Sequence, residues 1–306
     1  MEQAQLAAWL QRERGETLRA LAPVAGGCIH RAWRLELADG RRLFAKSNRR
    51  ALEPVLAAEA DGLNALGQAA ALAASDGPTL QVPQPLALVT LGTDSLLLLP
   101  WLELDSHPTN PEQAWRQLGA ALAGLHRASL VDQDGRFGWG HDNFIGSGPQ
   151  SNGWETSWPR FFTERRLGAQ LAWAARSGRR LRGTEALLER VPPWLAQHAV
   201  EPCLVHGDLW SGNAGLLRGG AAPGALFDPA VYRGDREVDL AMAQLFGGFP
   251  AAFFAGYDAT WPRLAGHRQR RDLYNLYHLL NHANLFGGSY WQQAEHSINA
   301  LLQSLG

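Results

Sequence analysis

Short apolar runs separated by Gly, Pro and Asp residues characterise the first hundred residues of the chain. Runs of this kind, bounded by turn-forming residues, are typical of short, partly buried strands. One longer Ala- and Leu-rich stretch carries Glu59 and ends near residue 74 at a Ser/Asp/Gly/Pro loop, which predicts a helix. The predicted strands comprise residues 21–24, 31–37, a segment from Arg42 that carries Lys46, 86–91 and 95–99. We therefore expect a small antiparallel sheet with one helix.

Beyond residue 110 the apolar residues recur at spacings of three and four, as on one face of a helix. The first such segment is 111–129, with Leu118, Leu122 and Leu125 on the apolar face. Further helices are predicted at 158–175, 184–198, 236–246, 267–286 and 290–305. Residues 131–157 show no periodicity, and a loop of this length inside a compact domain is usually functional.

The change of pattern near residue 100 divides the chain into two lobes. We predict an α+β fold with a small lobe of antiparallel strands at 1–100 and a larger, mainly helical lobe at 101–306. A chain of 306 residues with 46% hydrophobic residues is long enough for two such units. Pro100, Trp101 and Leu102 lie where the chain leaves the sheet, so we expect a hinge there.

Residues 206–213 and 227–229 contain the side chains with the most specific chemistry. Asn213 and Asp228 follow Asp208 by five and twenty residues, and apolar segments that predict strands bracket them. Phosphoryl transfer needs one carboxylate to orient the attacking hydroxyl, and an amide and a second carboxylate to hold Mg²⁺. We assign the first role to Asp208 and the second to Asn213 and Asp228, with ATP and Mg²⁺ as cofactors. The alternative is a polar turn built from Asn and Asp.

Lys46 is the single lysine among 28 basic residues. An ammonium is a compact point charge, unlike a guanidinium, and suits a position between phosphates and a carboxylate. A kinase needs such a lysine on its third strand, paired with a glutamate of the next helix. Glu59, thirteen residues downstream, is the expected partner. The alternative is chance retention of a surface lysine.

Two further segments fit a nucleotide site. Glycine lets backbone N–H groups approach anionic oxygens closely, so the turn at Gly26, Gly27 and Cys28 is expected to cover the phosphates. This signal is weak alone, because a Gly-Gly pair is ordinary hairpin chemistry. Backbone groups of the hinge at residues 100–102 are expected to hydrogen-bond the adenine edge.

Composition excludes several other classes of protein. A formal net charge of −1 provides no field for nucleic acid or an acidic membrane, and the Arg clusters, including 268–271, are expected to be solvated. The longest apolar run, about 96–102, is too short to span a bilayer. No signal peptide is evident, and two cysteines cannot form a secreted disulfide framework. We expect a cytoplasmic protein.

Two absences favour a small-molecule substrate. Protein kinases carry Arg before the catalytic Asp, to bind a phosphorylated activation loop, whereas Gly207 stands here. Asp239 follows Asp228 by only eleven residues, which leaves no room for a peptide-docking segment. Asp239 itself is expected to cap the helix that it begins or to tie down the Asp208 loop.

These motifs together resemble the fructosamine kinase (ketosamine kinase) family, a branch of the aminoglycoside phosphotransferase-like kinases. The resemblance covers about residues 18–303. It is carried by GGCI at 26–29, QSNGW at 150–154, HGDLWSGN at 206–213, DPA at 228–230, EVDLAM at 237–242 and FGGF at 246–249. One departure is Asp235, where family members often carry His.

The resemblance implies a bilobal protein-kinase-like fold and ATP- and Mg²⁺-dependent phosphorylation of a sugar hydroxyl on an amine-linked ketose. Such phosphorylation destabilises the adduct of a fructosamine or ribulosamine, which implies a role in deglycation. It also implies a redox-sensitive Cys28, whose oxidation would pair two chains; otherwise we expect a monomer. The alternative is an incidental small residue in a turn.

Three interpretations of the whole chain stay open at this point. A ketosamine kinase, a kinase of another small alcohol such as an aminoglycoside or a choline-type compound, and a non-catalytic nucleotide-binding sensor would all use this cleft. Trp210 is expected either to stack on the sugar or to pack in the core. His282, on one face of a long helix, is a weaker candidate for substrate contact, and nearby His278 is expected in the core.

Overall fold

The computed structural model describes residues 2–25, 29–75, 77–130, 134–219 and 222–305. An antiparallel sheet of five strands lies within the first hundred residues. The strands are β1 (Leu18–Val24), β2 (Arg31–Leu37), β3 (Arg42–Arg49), β4 (Ala87–Leu91) and β5 (Asp94–Pro100). Their order across the sheet is β1-β2-β3-β5-β4. The order puts β3 at the centre, between β2 and β5.

Helix α1 (Gln3–Arg14) covers one face of this sheet. Leu10 of α1 belongs to the same buried cluster as Leu43 and Ala45 of β3. Successive side chains of a strand point to opposite faces. The odd-numbered residues of β3 therefore face α1, and Lys46 points to the other side.

The opposite face of the sheet packs against helix α2 (Glu53–Ala73). An acid in the first turn, Glu53, is favourable beside the positive helix N-terminus. Leu56 and Leu63 are fully buried against the helices of the C-terminal part. Glu59 lies between them on the same face, three and four residues away. The apolar pattern of α2 thus carries a carboxylate into the interior.

The C-terminal part is mainly helical. Its helices are α3 (Pro111–Ala128), α4 (Trp158–Phe161), α5 (Ala169–Arg176), α6 (Thr184–Leu195), α7 (Glu237–Leu245), α8 (Ala251–Thr260), α9 (His267–Phe286) and α10 (Tyr290–Ser304). Glycines let α3 and α8 pack closely. A Cβ at Gly119 would lie 1.9 Å from the carbonyl oxygen of Phe253, and one at Gly256 would lie 1.9 Å from that of Arg116.

Three two-stranded ladders complete the fold. They are formed by β6 (Asn143–Ile145) with β7 (Gly148–Gln150), β8 (Cys203–Val205) with β11 (Tyr232–Gly234), and β9 (Ala214–Leu216) with β10 (Gly224–Leu226). The second and third ladders flank residues 206–213 and 227–231 on both sides. Short paired strands therefore fix the ends of both segments.

Four details differ from the sequence-based expectations. Residues 131–157 contain the β6–β7 hairpin, and helix α8 was not predicted. The helix predicted at 158–175 is interrupted by a π-helical segment, Phe162–Gly168. Arg270, expected in solvent, is buried because its guanidinium forms a bidentate pair with Glu237 at 2.7 and 2.9 Å. None of the helices in the described parts of the chain is long and apolar enough to cross a membrane.

Candidate active site

Asp208 and Asn213 lie in the loop between β8 and β9. The Asn213 amide nitrogen donates to the Asp208 carbonyl at 2.9 Å and to its carboxylate at 3.3 Å. The same nitrogen lies 3.4 Å from the carbonyl oxygen of Asp228. One buried amide thus joins the loop to the segment after β10. Asp208, Asn213 and Asp228 are brought together, although twenty residues separate the first from the last.

Asp239, in the first turn of α7, ties down this loop. Its two carboxylate oxygens accept the backbone N–H groups of His206 at 2.7 Å and Gly207 at 2.8 Å. The ring of His126 contacts it at 3.1 Å. Burial alone would raise the pKa of Asp239, but the hydrogen bonds and charges of the two histidines lower it below the ordinary value. Asp239 is therefore an anionic anchor under the loop.

Gly207 is required where it stands. Its φ of +80° is in the left-handed region, and a Cβ there would lie 2.1 Å from the carbonyl oxygen of Ala230. The close approach lets the Ala230 N–H donate to the His206 carbonyl at 2.8 Å. An arginine, which protein kinases have at this position, would not fit this backbone.

Lys46 joins two carboxylates, those of Glu59 and Asp228. Its Nζ donates to Glu59 Oε1 at 2.7 Å and also to Asp228 Oδ1. Burial would lower the pKa of Lys46, but the charges of Asp228 and Glu59 outweigh it and raise this pKa to about 12. Burial raises the pKa of Glu59 to about 7 despite the contact with Lys46. The ammonium is therefore charged at neutral pH.

Asp208 has a different electrostatic setting. Burial and the negative charge of Asp228 raise the pKa of its carboxyl group to about 7, while the hydrogen bond from Asn213 opposes this rise. A carboxyl group with such a pKa is a stronger base than an ordinary aspartate. This property suits a group that accepts a proton from a sugar hydroxyl.

Asp228 has the backbone and exposure of a ligand-binding residue. It is the one described residue other than glycine with a positive φ, +59°, a conformation that favours glycine or a constrained functional residue. Its side chain is 41% exposed to the cleft. The donor set of Asp228 and Asn213 consists of hard oxygens, which fits Mg²⁺. The residues present are thus compatible with this cation.

The hinge residues connect the sheet to the C-terminal part. Pro100 is the last residue of β5. The Trp101 ring lies 6.3 Å from that of Phe44, measured between centroids. Leu102 accepts the N–H of Leu104 at 3.1 Å, and Leu104 in turn pairs with the end of β9. Residues 100–102 therefore connect the sheet to the C-terminal part beside the cleft, and ring packing and backbone hydrogen bonding hold them in place.

The predicted phosphate-binding turn lies outside the described residues, at Gly26, Gly27 and Cys28. Immediately after it, the amide of Asn48 donates to the carbonyl of Ile29 at 3.0 Å and contacts the ring of His30 at 3.1 Å. Burial and the charge of Lys46 lower the pKa of His30 to about 4. His30 thus lies near the Lys46 ammonium as a neutral side chain, a position that the sequence pattern did not reveal.

Trp210 is exposed rather than part of the core. Its indole is 38% exposed and covers Gly212, where a Cβ would lie 2.2 Å from the ring. The side chain is consequently fixed two residues after Asp208 with one face available. This placement agrees with the stacking alternative and excludes the core alternative.

His282 belongs to an aromatic cluster at the end of α9. Its ring centroid lies 4.8 Å from Phe246, 5.2 Å from Tyr290 and 5.6 Å from Phe286. The loop after Phe246 contacts the catalytic loop, since a Cβ at Gly248 would lie 2.4 Å from the Cβ of Ser211. The cluster therefore lies close to the loop that carries Asp208.

His278 and Asp235 are interior residues. His278 is fully buried, and burial lowers its pKa to about 3, so its ring is neutral. Asp235 accepts the hydroxyl of Tyr274 at 2.6 Å, the ring of His198 at 2.8 Å and the N–H of Glu237 at 2.9 Å. It supports the start of α7 and does not line the cleft.

His126 is a site residue that sequence reasoning missed. It lies on the apolar face of α3, fully buried, and bridges Asp239 to the hydroxyl of Tyr257 at 2.9 Å. The available signal was a histidine four residues after Leu122, on a face that is otherwise aliphatic. A polar residue on such a face needs a buried partner.

Comparison with known proteins decides the family. The Fructosamine kinase family profile matches residues 2–304. The chain belongs to the fructosamine kinase family. A probable ketoamine kinase of Synechocystis sp. is 43% identical over 281 residues, which are 92% of this chain and 89% of that protein. Probable ketoamine kinases of Vibrio parahaemolyticus and Escherichia coli K12 are 37% and 39% identical over about nine-tenths of both chains.

Solved structures agree with this assignment. A putative fructosamine-3-kinase from Thermobifida fusca has a TM-score of 0.80 at 31% identity, with 97% of this chain and 98% of that chain covered. One from Haemophilus somnus has a TM-score of 0.82 at 26% identity, covering 97% and 96%. A thermostable mutant of aminoglycoside phosphotransferase APH(4)-Ia, at a TM-score of 0.62 and 19% identity with 97% and 98% of the two chains covered, shares the fold.

The predicted fold class and family are thus confirmed for this fructosamine kinase family member. Its architecture is the protein-kinase-like one, with an antiparallel sheet in the N-terminal part and many helices after it. As a member of this family the protein is a phosphotransferase that acts on an alcohol group, and membership implies the use of ATP.

Proposed function

We propose that this protein transfers the γ-phosphoryl group of ATP to a sugar hydroxyl of a ketosamine, with Mg²⁺. The observation that supports it most is the convergence of Asp208, Asn213, Asp228 and Lys46 in one cleft. In this proposal residues 1–100 bind the nucleotide, and residues 101–306 supply the catalytic loop, the metal ligands and the acceptor side.

Asp208 is the proposed base. Its raised pKa, about 7, places it near the pH at which a base combines sufficient ionisation with sufficient basicity. It orients the attacking hydroxyl and accepts its proton as the new P–O bond forms. Asp239 and His126 hold the backbone before Asp208, so that its position does not depend on the substrate.

Asn213 and Asp228 are the proposed metal ligands, and Lys46 the proposed phosphate contact. When bound, Mg²⁺ neutralises charge on the phosphate oxygens. Because Asp228 would then contact the cation, the Lys46 ammonium is free to donate to phosphate while Glu59 keeps it oriented. The hinge at Pro100, Trp101 and Leu102 is the proposed adenine contact.

The proposed acceptor is an amine-linked ketose of the fructosamine or ribulosamine type. The relatives' names support this class, since they are probable ketoamine kinases and putative fructosamine-3-kinases. Trp210 offers an exposed ring face to a sugar. His282 and its aromatic neighbours border the same side. Phosphorylation of such adducts would serve deglycation.

A coupled assay of ATP consumption tests this proposal. Fructosamines, ribulosamines and erythrulosamines would be compared with aminoglycosides and choline at equal concentrations, with the site of phosphorylation determined by NMR. We expect Mg²⁺-dependent turnover with ketosamines and a 3-phosphate product. Turnover confined to aminoglycosides or choline would reject the substrate class, and no turnover with any alcohol would reject the kinase assignment of these residues.

A separate experiment tests the proposal that Cys28 is redox-sensitive and that its oxidation pairs two chains. Cys28 lies outside the described residues. Cys203 is buried, and burial raises the pKa of its thiol, so it is a poor target for oxidants. We expect peroxide to inhibit the protein and to produce dimers that a reductant reverses. Cys28→Ser should remove both effects and Cys203→Ser neither. Peroxide resistance of the unmodified protein would contradict the proposal.

A further inference from the structure

A contact between the two parts of the chain involves helix α2, two residues after Glu59. The indole Nε1 of Trp139 donates to Asp61 Oδ2 at 2.8 Å, and the ring of His141 lies 3.5 Å from the same oxygen. Trp139 and His141 belong to the segment between α3 and the β6–β7 hairpin. A hydrogen bond to a carboxylate is among the stronger ones available to an indole.

The Trp139 side of this contact is rigid. The Gly138 N–H donates to the carbonyl of Arg233 in β11 at 3.0 Å, and the Arg233 N–H donates back at 2.8 Å. The Trp139 N–H donates to the carbonyl of Asn152 at 2.9 Å. Backbone bonds on two sides therefore fix the indole relative to the ladder that carries the catalytic loop.

The Asp61 side lies against the segment that carries Asp228. A Cβ at Gly62 would lie 3.0 Å from Cγ of Pro229 and 3.3 Å from the methyl groups of Val231. Helix α2 thus contacts the C-terminal part directly at Gly62, with the Asp61–Trp139 bond beside it. Rotation or lifting of α2 would break both contacts at once.

The Lys46–Glu59 pair needs this additional support. Both side chains are buried, and the desolvation of two charges offsets much of their attraction. The packing of α2 through Leu56 and Leu63, together with its contact at Asp61, therefore keeps Glu59 within reach of Lys46.

We infer that Asp61 and Trp139 are positioning residues, which lock α2 to the C-terminal part so that Glu59 stays paired with Lys46. Neither residue is among those proposed above to bind the substrate, the nucleotide or the metal. The inference rests on the proposed phosphoryl transfer for its kinetic readout, and it goes beyond it because it assigns a role to residues outside the cleft.

A double-mutant cycle tests this coupling. Asp61→Ala should lower kcat about fivefold to tenfold, as expected for neighbouring residues that act through one contact. Asp61→Asn should retain most activity, because its carbonyl still accepts the indole N–H. In a Glu59→Gln background, Asp61→Ala should have little further effect. If the fold-losses in kcat of the two single variants multiplied in the double variant, Asp61 would act independently of Glu59. That result would overturn the inference.

Hydrogen exchange provides a readout that does not depend on turnover. Asp61→Ala and Trp139→Phe should each accelerate amide exchange in residues 57–64 of α2 at least about tenfold and leave α9 unchanged. Trp154→Phe is the matched control, because this indole lies shortly after β7, is 37% exposed and contacts the guanidinium of Arg136. Unchanged exchange in α2 would overturn the inference even if no ketosamine is a substrate. Absence of turnover with accelerated exchange would reject the proposed function alone.

Discussion

The two sides of the cleft hold their carboxylates in opposite ways. On the nucleotide side, Glu59 and Asp228 both contact the ammonium of Lys46. On the acceptor side, the hydrogen bond that Asp208 accepts comes from the neutral amide of Asn213, and the nearby charge of Asp228 is repulsive. A cation thus balances charge on the proposed nucleotide side, whereas burial and the charge of Asp228 raise the pKa of Asp208, the proposed base.

The comparison explains why the catalytic loop needs an anchor of its own. An ion pair could hold Asp208 in place, but it would lower the pKa of Asp208 and weaken it as a base. Asp239 instead holds the loop through the backbone of residues 206 and 207, and its charge is directed at N–H groups. Position and basicity are therefore controlled by different residues.

The largest loss of activity is expected when a negative charge is removed from the proposed nucleotide side. Asp228→Asn should reduce kcat/KM about a thousandfold, because it removes a proposed metal ligand and a partner of Lys46. Titration calorimetry with MgADP should show weakened binding as well. If binding of MgADP were unchanged, Asp228 would not belong to the nucleotide side.

A smaller loss of activity is expected when the positive charge at position 46 is kept and the shape of the side chain is changed. Lys46→Arg should lower kcat about a hundredfold, since a guanidinium cannot occupy the compact position between Glu59 and Asp228. Lys46→Ala, which removes the charge as well, should be no more active than Lys46→Arg. Near-normal kcat in Lys46→Arg would show that only the charge matters there.

Substitutions on the proposed acceptor side should raise the KM for the alcohol and leave the KM for ATP unchanged. Trp210→Ala and His282→Ala should each raise the KM for a ketosamine about fivefold, consistent with the loss of one aromatic contact of about 1 kcal/mol. The KM for ATP should stay the same in both. Phe254→Ala, on the far side of α8, should change neither KM. A raised KM for ATP would place these rings on the nucleotide side.

The smallest effect concerns pH. Asp208 must be ionised to accept a proton, and its pKa is about 7, so kcat/KM should fall about tenfold per pH unit below that value. This acidic limb of the pH profile of kcat/KM should persist in Glu59→Gln, although the pKa of Glu59 is also about 7. A limb that disappears in this variant would assign the titration to Glu59.

Local chemistry in the sequence indicated much of the cleft. The single lysine and the acid of the following helix, Lys46 and Glu59, are in contact in the structure. Short apolar strands around Asp208 and Asp228 marked the loop ends correctly. These features depend on neighbours in sequence and on strand and helix periods, which a single chain displays.

Other features depend on partners that are distant in sequence. Most positions of helix α8 are apolar, so its sequence lacks the three- and four-residue spacing that predicts a helix, and its close packing on α3 depends on Gly256. Arg270 is buried because Glu237 pairs with it from α7. The bond between Asp61 and Trp139 spans 78 residues. Neither the periodicity of apolar residues nor the spacing of motifs predicts such long-range pairings.

The central claim, that Asp208 accepts the proton without binding the nucleotide, is tested most directly in Asp208→Asn. We predict loss of turnover by at least about a thousandfold, MgADP affinity within about twofold of the unmodified protein, and unfolding at a higher temperature at pH 8. The last effect follows because the raised pKa means that the ionised carboxylate destabilises the fold above pH 7. Retained turnover, or loss of MgADP binding together with turnover, would contradict the account.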